Sequence, residues 1–217
     1  MSTLFANRTE AGRALGARLA DLAGDDPVVL GLPRGGVVVA VEVARTLGAT
    51  LDVLVVRKLG VPRQPELAMG AIAEAGVRLV SEDVVRSACV TAEVLAEVER
   101  RERDLLRQRL RLLRGDRPPV SLANRAVVVV DDGIATGSTV RVACAAARAR
   151  GAVRIVVAAP VAPAGTPERL RGAADDIVLL HTPEPFLAIG PFYRDFSQTS
   201  DAEVVDALQQ LVTRTEP

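Results

Sequence analysis

The 217-residue chain is 49% hydrophobic and balances 27 basic against 27 acidic side chains. That is enough apolar material for one sizeable core, and there is no whole-molecule field to draw the chain onto nucleic acid or anionic lipid. Charge enters at Arg8 before any apolar stretch of signal-peptide length, and later apolar runs are broken by charge or proline, so the expectation is a soluble, cytoplasmic protein with no membrane or nucleic-acid partner.

In chain order, residues 8–22 read as a helix, PVVLGL (27–32) as a buried strand, 37–47 as a helix and LDVLVVR (51–57) as a second strand. A strand, helix, strand unit implies parallel pairing through a right-handed crossover. Residues 60–76, GVPRQPELAMGAIAEAG, mix proline, glycine and polar side chains, which predicts an extended or mobile loop and a candidate lid carrying Glu66 and Glu74. Thr91 caps a long helix running to about residue 114, with Glu97 and Arg101, and Glu99 and Arg103, at i, i+4 spacing. Its arginines surround the helix, interleaved with acids, which reads as a solvated or subunit-facing surface and leaves room for a homodimer.

AVVVV (126–130), a helix over 138–150, VRIVVAAP (153–160) and DIVLL (176–180) follow, and a last helix is expected at about 201–213. The sum is an α/β fold: an open, mostly parallel, twisted sheet flanked by helices, with a small C-terminal hood. We expect a single domain over 1–217, with a core to about residue 180 and a hood at about 181–200 in which the N-terminus can share. Cys89 and Cys144 lie in stretches of helical pattern without a second thiol or histidine at ligand spacing, which predicts small buried residues with free thiols. His181 also stands without ligand partners.

The strongest local signal is AVVVVDDGIATGSTV, residues 126–140. An uninterrupted β-branched run belongs in mid-sheet and ends here at Asp131 and Asp132, the carboxyl end where open α/β sheets bind ligands. Gly133 and Gly137 allow the backbone to fold back, while Thr136, Ser138 and Thr139 place hydroxyls where a helix begins, a seat for a phosphate dianion. The two carboxylates would repel that phosphate, so they should face a part of the ligand that donates hydrogen bonds, such as a ribose diol. A Walker A loop would need Lys where Gly137 stands, and no G-x-G-x-x-G opens a helix, so ATP and dinucleotide sites lose support.

Other residues admit two readings. Arg34, Gly35 and Gly36 form either an anion-binding turn between strand and helix or a tight turn with a solvated arginine. Arg57 and Lys58 are either an anion clamp or solvated ends of a strand. Phe186, Phe192, Tyr193 and Phe196 cluster in one segment, where Tyr193 serves equally as a stacking platform for a flat acceptor or as part of a mini-core.

At residues 127–139 the chain resembles the type I phosphoribosyltransferases, whose signature is an apolar strand, two acids and a short loop ending Thr-Gly followed by Ser or Thr. GLPRGGVVVA and VVRKLG bring it near a stand-alone subgroup of that family with an unsettled acceptor. The resemblance implies the type I fold and binding of 5-phosphoribosyl 1-pyrophosphate (PRPP) together with Mg2+, without a metal site made of protein ligands. It implies that Asp131 and Asp132 hold the ribose hydroxyls and that Gly133 and the loop Ala135, Thr136, Gly137, Ser138 and Thr139 hold the 5-phosphate. Arg34, Gly35 and Gly36 would form the pyrophosphate loop, with Arg57 and Lys58 as its cations, and Tyr193 would stack the acceptor. Arg34, Lys58, Asp131 and Asp132 are the expected catalytic residues. The implied reaction passes the phosphoribosyl group to a nitrogen nucleophile, a nucleobase or related small molecule, with release of pyrophosphate. The alternative is a PRPP-binding regulator without transferase activity. Hypoxanthine and guanine salvage enzymes of the family carry an acid directly before Thr-Gly; here that place is Ala135, which weakens a 6-oxopurine assignment.

Overall fold

The computed structural model describes residues 3–212. Five strands, β1 (Val28–Gly31), β2 (Thr50–Val53), β6 (Ala126–Val130), β7 (Arg154–Val161) and β8 (Asp176–His181), form one sheet in the order β2-β1-β6-β7-β8. Every neighbouring pair is parallel. The strands are apolar on both faces because both faces are covered. Val127 and Val129 point into one core with helix α5 (Ser138–Ala149). Val128 and Val130 point into the other, with helices α1 (Arg8–Arg18) and α2 (Gly35–Leu47), the long α4 (Ala92–Arg114) and the terminal α7 (Asp201–Val212). Among the described residues no helix is long and apolar enough to cross a membrane.

The segment expected as a loop is a second sheet. The strand expected over 51–57 stops at Val53, and β3 (Val56–Val61), β4 (Gln64–Ala73) and β5 (Arg78–Val80) then form an antiparallel meander. Pro62 and Arg63 make the turn, with Val61 paired to Gln64. Short helices α3 (Glu82–Ser87) and α6 (Thr166–Arg169) were also not expected from the pattern.

Glu74, expected on a lid surface, has a largely covered side chain, 9% exposed. Its carboxylate meets Arg114 Nη1 at 3.0 Å, and the same guanidinium donates from Nε and Nη2 to the buried Asp52 of β2 at 3.0 and 3.1 Å. Burial works against the Arg114 charge, yet the bonds to Glu74 and Asp52 outweigh it and hold the arginine above its ordinary pKa. This knot ties the meander to the main sheet and to the end of α4. Along α4, Thr91 caps Val94 N and Glu99 pairs with Arg103 as the spacing predicts, but Glu97 pairs with Arg100 instead of Arg101. The helix is not solvated all round: Leu95, Val98, Glu102, Leu106, Leu113 and Arg114 are buried.

Beyond β8, the segment around the 3-10 turn Gly190–Phe192 folds back over the sheet and pairs with the start of the chain. Leu4 N and Phe5 N both donate to Phe192 O, while Arg194 N and Asp195 N donate to Phe5 O and Ala6 O. Phe5, Phe192 and Tyr193 form a small core there, joined by the half-buried Phe186, Ile189 and Phe196. His181 lies with its ring 5.6 Å from that of Phe5. Cys144 is buried on α5, but Cys89 is exposed, in a left-handed turn after α3.

Candidate functional site

The strands β1 and β6 are neighbours and run the same way, so the loops that leave their carboxyl ends meet. Leu32 N donates to Val130 O at 2.9 Å, which holds the first loop against the second. The closeness explains the glycines. A side chain at Gly35 would overlap the Asp132 carboxylate, and one at Gly36 would sit 2.9 Å from Asp131 Cα. The Pro33–Arg34 peptide is cis.

Two helix N-termini therefore open on one cleft. Neither α2 nor α5 has a side-chain cap from its N-cap residue or an acid in its first turn, which favours an anion there, although Val37 N already donates to Arg34 O and Ser138 N makes a long contact of 3.4 Å to Thr136 Oγ1. Gly137 takes the left-handed conformation, φ +81°, that lets the chain turn into α5. Gly133 and Gly137 are buried, while Ala135, Thr136, Ser138 and Thr139 are exposed; all of these but Ser138 line a hollow of about 190 Å³ together with Asp131 and Ile189. Thr136 Oγ1 lies 3.2 Å from Ser138 Oγ, so two hydroxyls already face each other at the loop's rim.

The acid pair is asymmetric. Burial first, and then the neighbouring Asp132 carboxylate, push Asp131 well above the ordinary carboxylate range. Asp132 is neutralised by Arg8, the first residue of α1, whose Nε donates to Oδ2 at 2.7 Å. Arg8 Nη1 also donates to Ser197 O, and its guanidinium lies 3.9 Å from the Phe196 ring centre. Sequence reasoning missed Arg8, because nothing local marks a residue whose partner is 124 positions away.

Tyr193 does not stand where an acceptor could stack on it. The residue is 5% exposed, its ring packs with Phe5 and Phe196, and its hydroxyl donates to Asp132 O at 2.6 Å. Burial and the Asp132 charge raise its pKa. The ring supports the acid pair from beneath.

A second hollow, about 340 Å³, lies beside the first loop and is lined by Arg34, Arg57, Arg109 and Thr139 together with apolar residues. Arg57 and Lys58 are adjacent on β3 and so leave opposite faces. Arg57 lines this hollow and is held by Glu102, with Nη2 at 2.6 Å, whereas Lys58 is half exposed, lies outside that lining and reaches Glu66 at 3.4 Å. The structure thus gathers Arg34, Gly35, Gly36, Arg57, Asp131, Asp132, Gly133 and the 135–139 loop at one end of the sheet. Lys58 stands apart on the meander.

The family model described as "Phosphoribosyl transferase domain" matches residues 3–183. Two curated proteins of Mycobacterium tuberculosis, "Putative phosphoribosyl transferase Rv0571c" of strain H37Rv and "Putative phosphoribosyl transferase MT0597" of strain CDC 1551, are each 53% identical over 207 residues. The match covers 95% of this chain and 47% of theirs, so the chain spans about half the length of the curated relatives it matches. The crystal structure of TT1426 from Thermus thermophilus is 42% identical, superposes with a TM-score of 0.83, and covers 96% of this chain and 99% of its own.

Proposed function

The chain belongs to the phosphoribosyl transferase family, and from that we propose that its cleft takes PRPP and transfers the phosphoribosyl group to a nitrogen nucleophile, releasing pyrophosphate. The observation that carries the reading is the contact of Gly35 and Gly36 with Asp132 and Asp131. It sets a cation-bearing loop against an acid pair and a phosphate seat, which is the order of groups along PRPP: pyrophosphate, ribose diol, 5-phosphate.

In this reading the loop from Ala135 to Thr139 binds the 5-phosphate through amides and hydroxyls, and Asp131 and Asp132 accept hydrogen bonds from the ribose hydroxyls. The C1–O bond to pyrophosphate breaks as the nitrogen lone pair forms the C1–N bond, and the electron pair of the broken bond leaves with the pyrophosphate. Arg34 and Arg57 stabilise that growing negative charge; Lys58, the further cation of this reading, would have to reach the pyrophosphate from the other face of β3. The main contribution is orientation, since both loops are anchored on a rigid parallel sheet.

The residues present fit Mg2+ delivered on its ligand, an ion that keeps water and phosphate oxygens and takes one or two carboxylates from the protein. Asp131 and Asp132 are the carboxylates at the cleft and face the ribose diol in this reading, so the ion would ride on the ligand's oxygens; among the described residues no group of three or more His, Cys, Asp or Glu could hold a metal ion by itself. When bound, the ion would offset pyrophosphate charge.

The test is incubation with PRPP, Mg2+ and a panel of nucleobases and small amines, following pyrophosphate release, with thermal melts in PRPP and in ribose 5-phosphate alongside. Release dependent on one acceptor supports the transferase. A melt raised by PRPP without release under any acceptor favours the regulator, and no rise at millimolar ligand removes the PRPP reading altogether.

A further inference from the structure

Three arginines from three separate elements line the hollow beside the first loop: Arg34 ahead of α2, Arg57 on β3 and Arg109 on α4. Arg57 is matched by Glu102. Arg34 and Arg109 share a single carboxylate, that of Asp201, the first residue of α7. The three arginines thus share two carboxylates, and one of these, Glu102, also pairs with Arg101 at 3.3 Å. The sharing is uneven. Asp201 Oδ2 pairs closely with Arg109, whereas Oδ1 lies 3.9 Å from Arg34 Nη1, beyond hydrogen-bonding distance, and is buried with no hydrogen-bond partner among the described residues.

A buried carboxylate oxygen left unbonded between cations is costly unless it serves the arrangement of those cations. Asp201 is not needed to start its own helix. Ser200 and Glu203 do that by a reciprocal capping box, with Ser200 N donating to Glu203 Oε2 and Glu203 N to Ser200 Oγ. The capping box fixes where α7 begins and so brings the Asp201 carboxylate to Arg109 and Arg34.

We propose that Arg109 is a pyrophosphate-binding residue and that Asp201 is an internal stand-in anion, which holds Arg109 and Arg34 apart and oriented until a pyrophosphate displaces it. The proposal rests on the PRPP reading for its natural ligand. An entering pyrophosphate presents several oxygens to three guanidinium forks and leaves Asp201 free to turn to solvent, where it is already one-third exposed. The long arginine-rich helix thereby contributes to the site through one residue, and the C-terminal helix competes with the ligand through another.

The experiment is calorimetric titration of inorganic pyrophosphate, PRPP and ribose 5-phosphate into the wild type, Arg109→Gln, Arg109→Lys and Asp201→Asn, with circular dichroism to verify folding. Loss of one charged hydrogen-bonding partner should weaken pyrophosphate and PRPP by about tenfold or more in Arg109→Gln, less in Arg109→Lys, and leave ribose 5-phosphate unchanged. Asp201→Asn should bind pyrophosphate more tightly than the wild type, a gain that a merely structural residue would not produce. Unchanged pyrophosphate binding in a folded Arg109→Gln, or equal loss of all three ligands, overturns the role of Arg109. Weaker pyrophosphate binding in Asp201→Asn overturns the stand-in anion. A wild type that binds pyrophosphate through Arg109 but neither PRPP nor ribose 5-phosphate would overturn the PRPP reading and leave the cleft assignment standing.

Discussion

Replacing Arg8 by alanine should destabilise the protein by way of the acid pair. Arg8 and Asp132 retain only 12% and 13% side-chain exposure, with 2.7 Å between Nε and Oδ2. Removing one partner of a buried pair costs about 3–5 kcal/mol, because the other charge is left desolvated and alone. The residual water contact and the backbone bonds around Asp132 argue for the lower end, about 3 kcal/mol, which in a chain of this length lowers Tm by about 6–12 °C. Coupling decides the cause. In an Asp132→Asn background the same substitution should cost at least about 1 kcal/mol less, since the charge it strands is gone.

The pH dependence of that variant follows from Asp131. Its folded pKa lies above the unfolded value of about 3.9, so the native state holds the proton more firmly. Stability therefore falls as pH rises from the unfolded value through the folded one, and is level above it. The Arg8 charge pulls the Asp131 pKa down; without it the window extends upward, and the cost of Arg8→Ala should grow as pH rises out of acid. Thermal melts by circular dichroism of the wild type, both single variants and the double variant, at neutral pH and near pH 4, measure all of this. A cost under about 1 kcal/mol, no coupling to Asp132→Asn, or a cost larger in acid would each refute the reasoning.

Asp131→Asn combined with Asp132→Asn should lower PRPP affinity by about one to several orders of magnitude while inorganic phosphate binding holds or improves; parallel loss of both in calorimetry would mean that the acids shape the loop. Asp52→Asn should cost about 3–5 kcal/mol by stripping Arg114 of its buried partner, and a melt within about 2 °C of the wild type would show that Glu74 satisfies the arginine alone. Burial pushes the Cys144 thiol up to about 12, whereas Cys89 is exposed. A thiol-disulfide reagent at pH 8 should therefore modify Cys89 alone in the native protein and both thiols in denaturant, and fast native reaction of both would contradict the burial.

The parallel sheet and the 131–139 turn into α5 were legible because their causes are local. A β-branched run can be buried on both faces wherever it lies, and two acids, a glycine and a hydroxyl cluster at its end describe a strand-to-helix turn by themselves. The meander was illegible for an equally local reason. The first five residues of β4, Gln64 to Ala68, are all exposed, so they show no alternation, and Pro65 breaks the pattern where Gly60 lets the strands pass closely. Tyr193 was ambiguous because an aromatic cluster in a chain with so few rings suits a platform and a mini-core alike. Arg8, Arg109 and Asp201 act through partners at the far end of the chain, and no spacing rule reaches that distance.

The tie between the first residues and the hood sets an order for assembly during synthesis. Arg8 has left the ribosome long before Asp132, 124 positions later, and Tyr193 follows Asp132 by a further 61. At about 5–20 residues per second, the acid pair waits about 3–12 s for the ring that will support it. Until then Phe5 has no Tyr193 to pack against, and Leu4 and Phe5 have no Phe192 carbonyl to receive their amides. The sheet can form on the nascent chain, but the acid pair gains its full support only when the segments around Phe5 and Phe192 find each other, so a chain stalled before Phe192 carries the motif without that support.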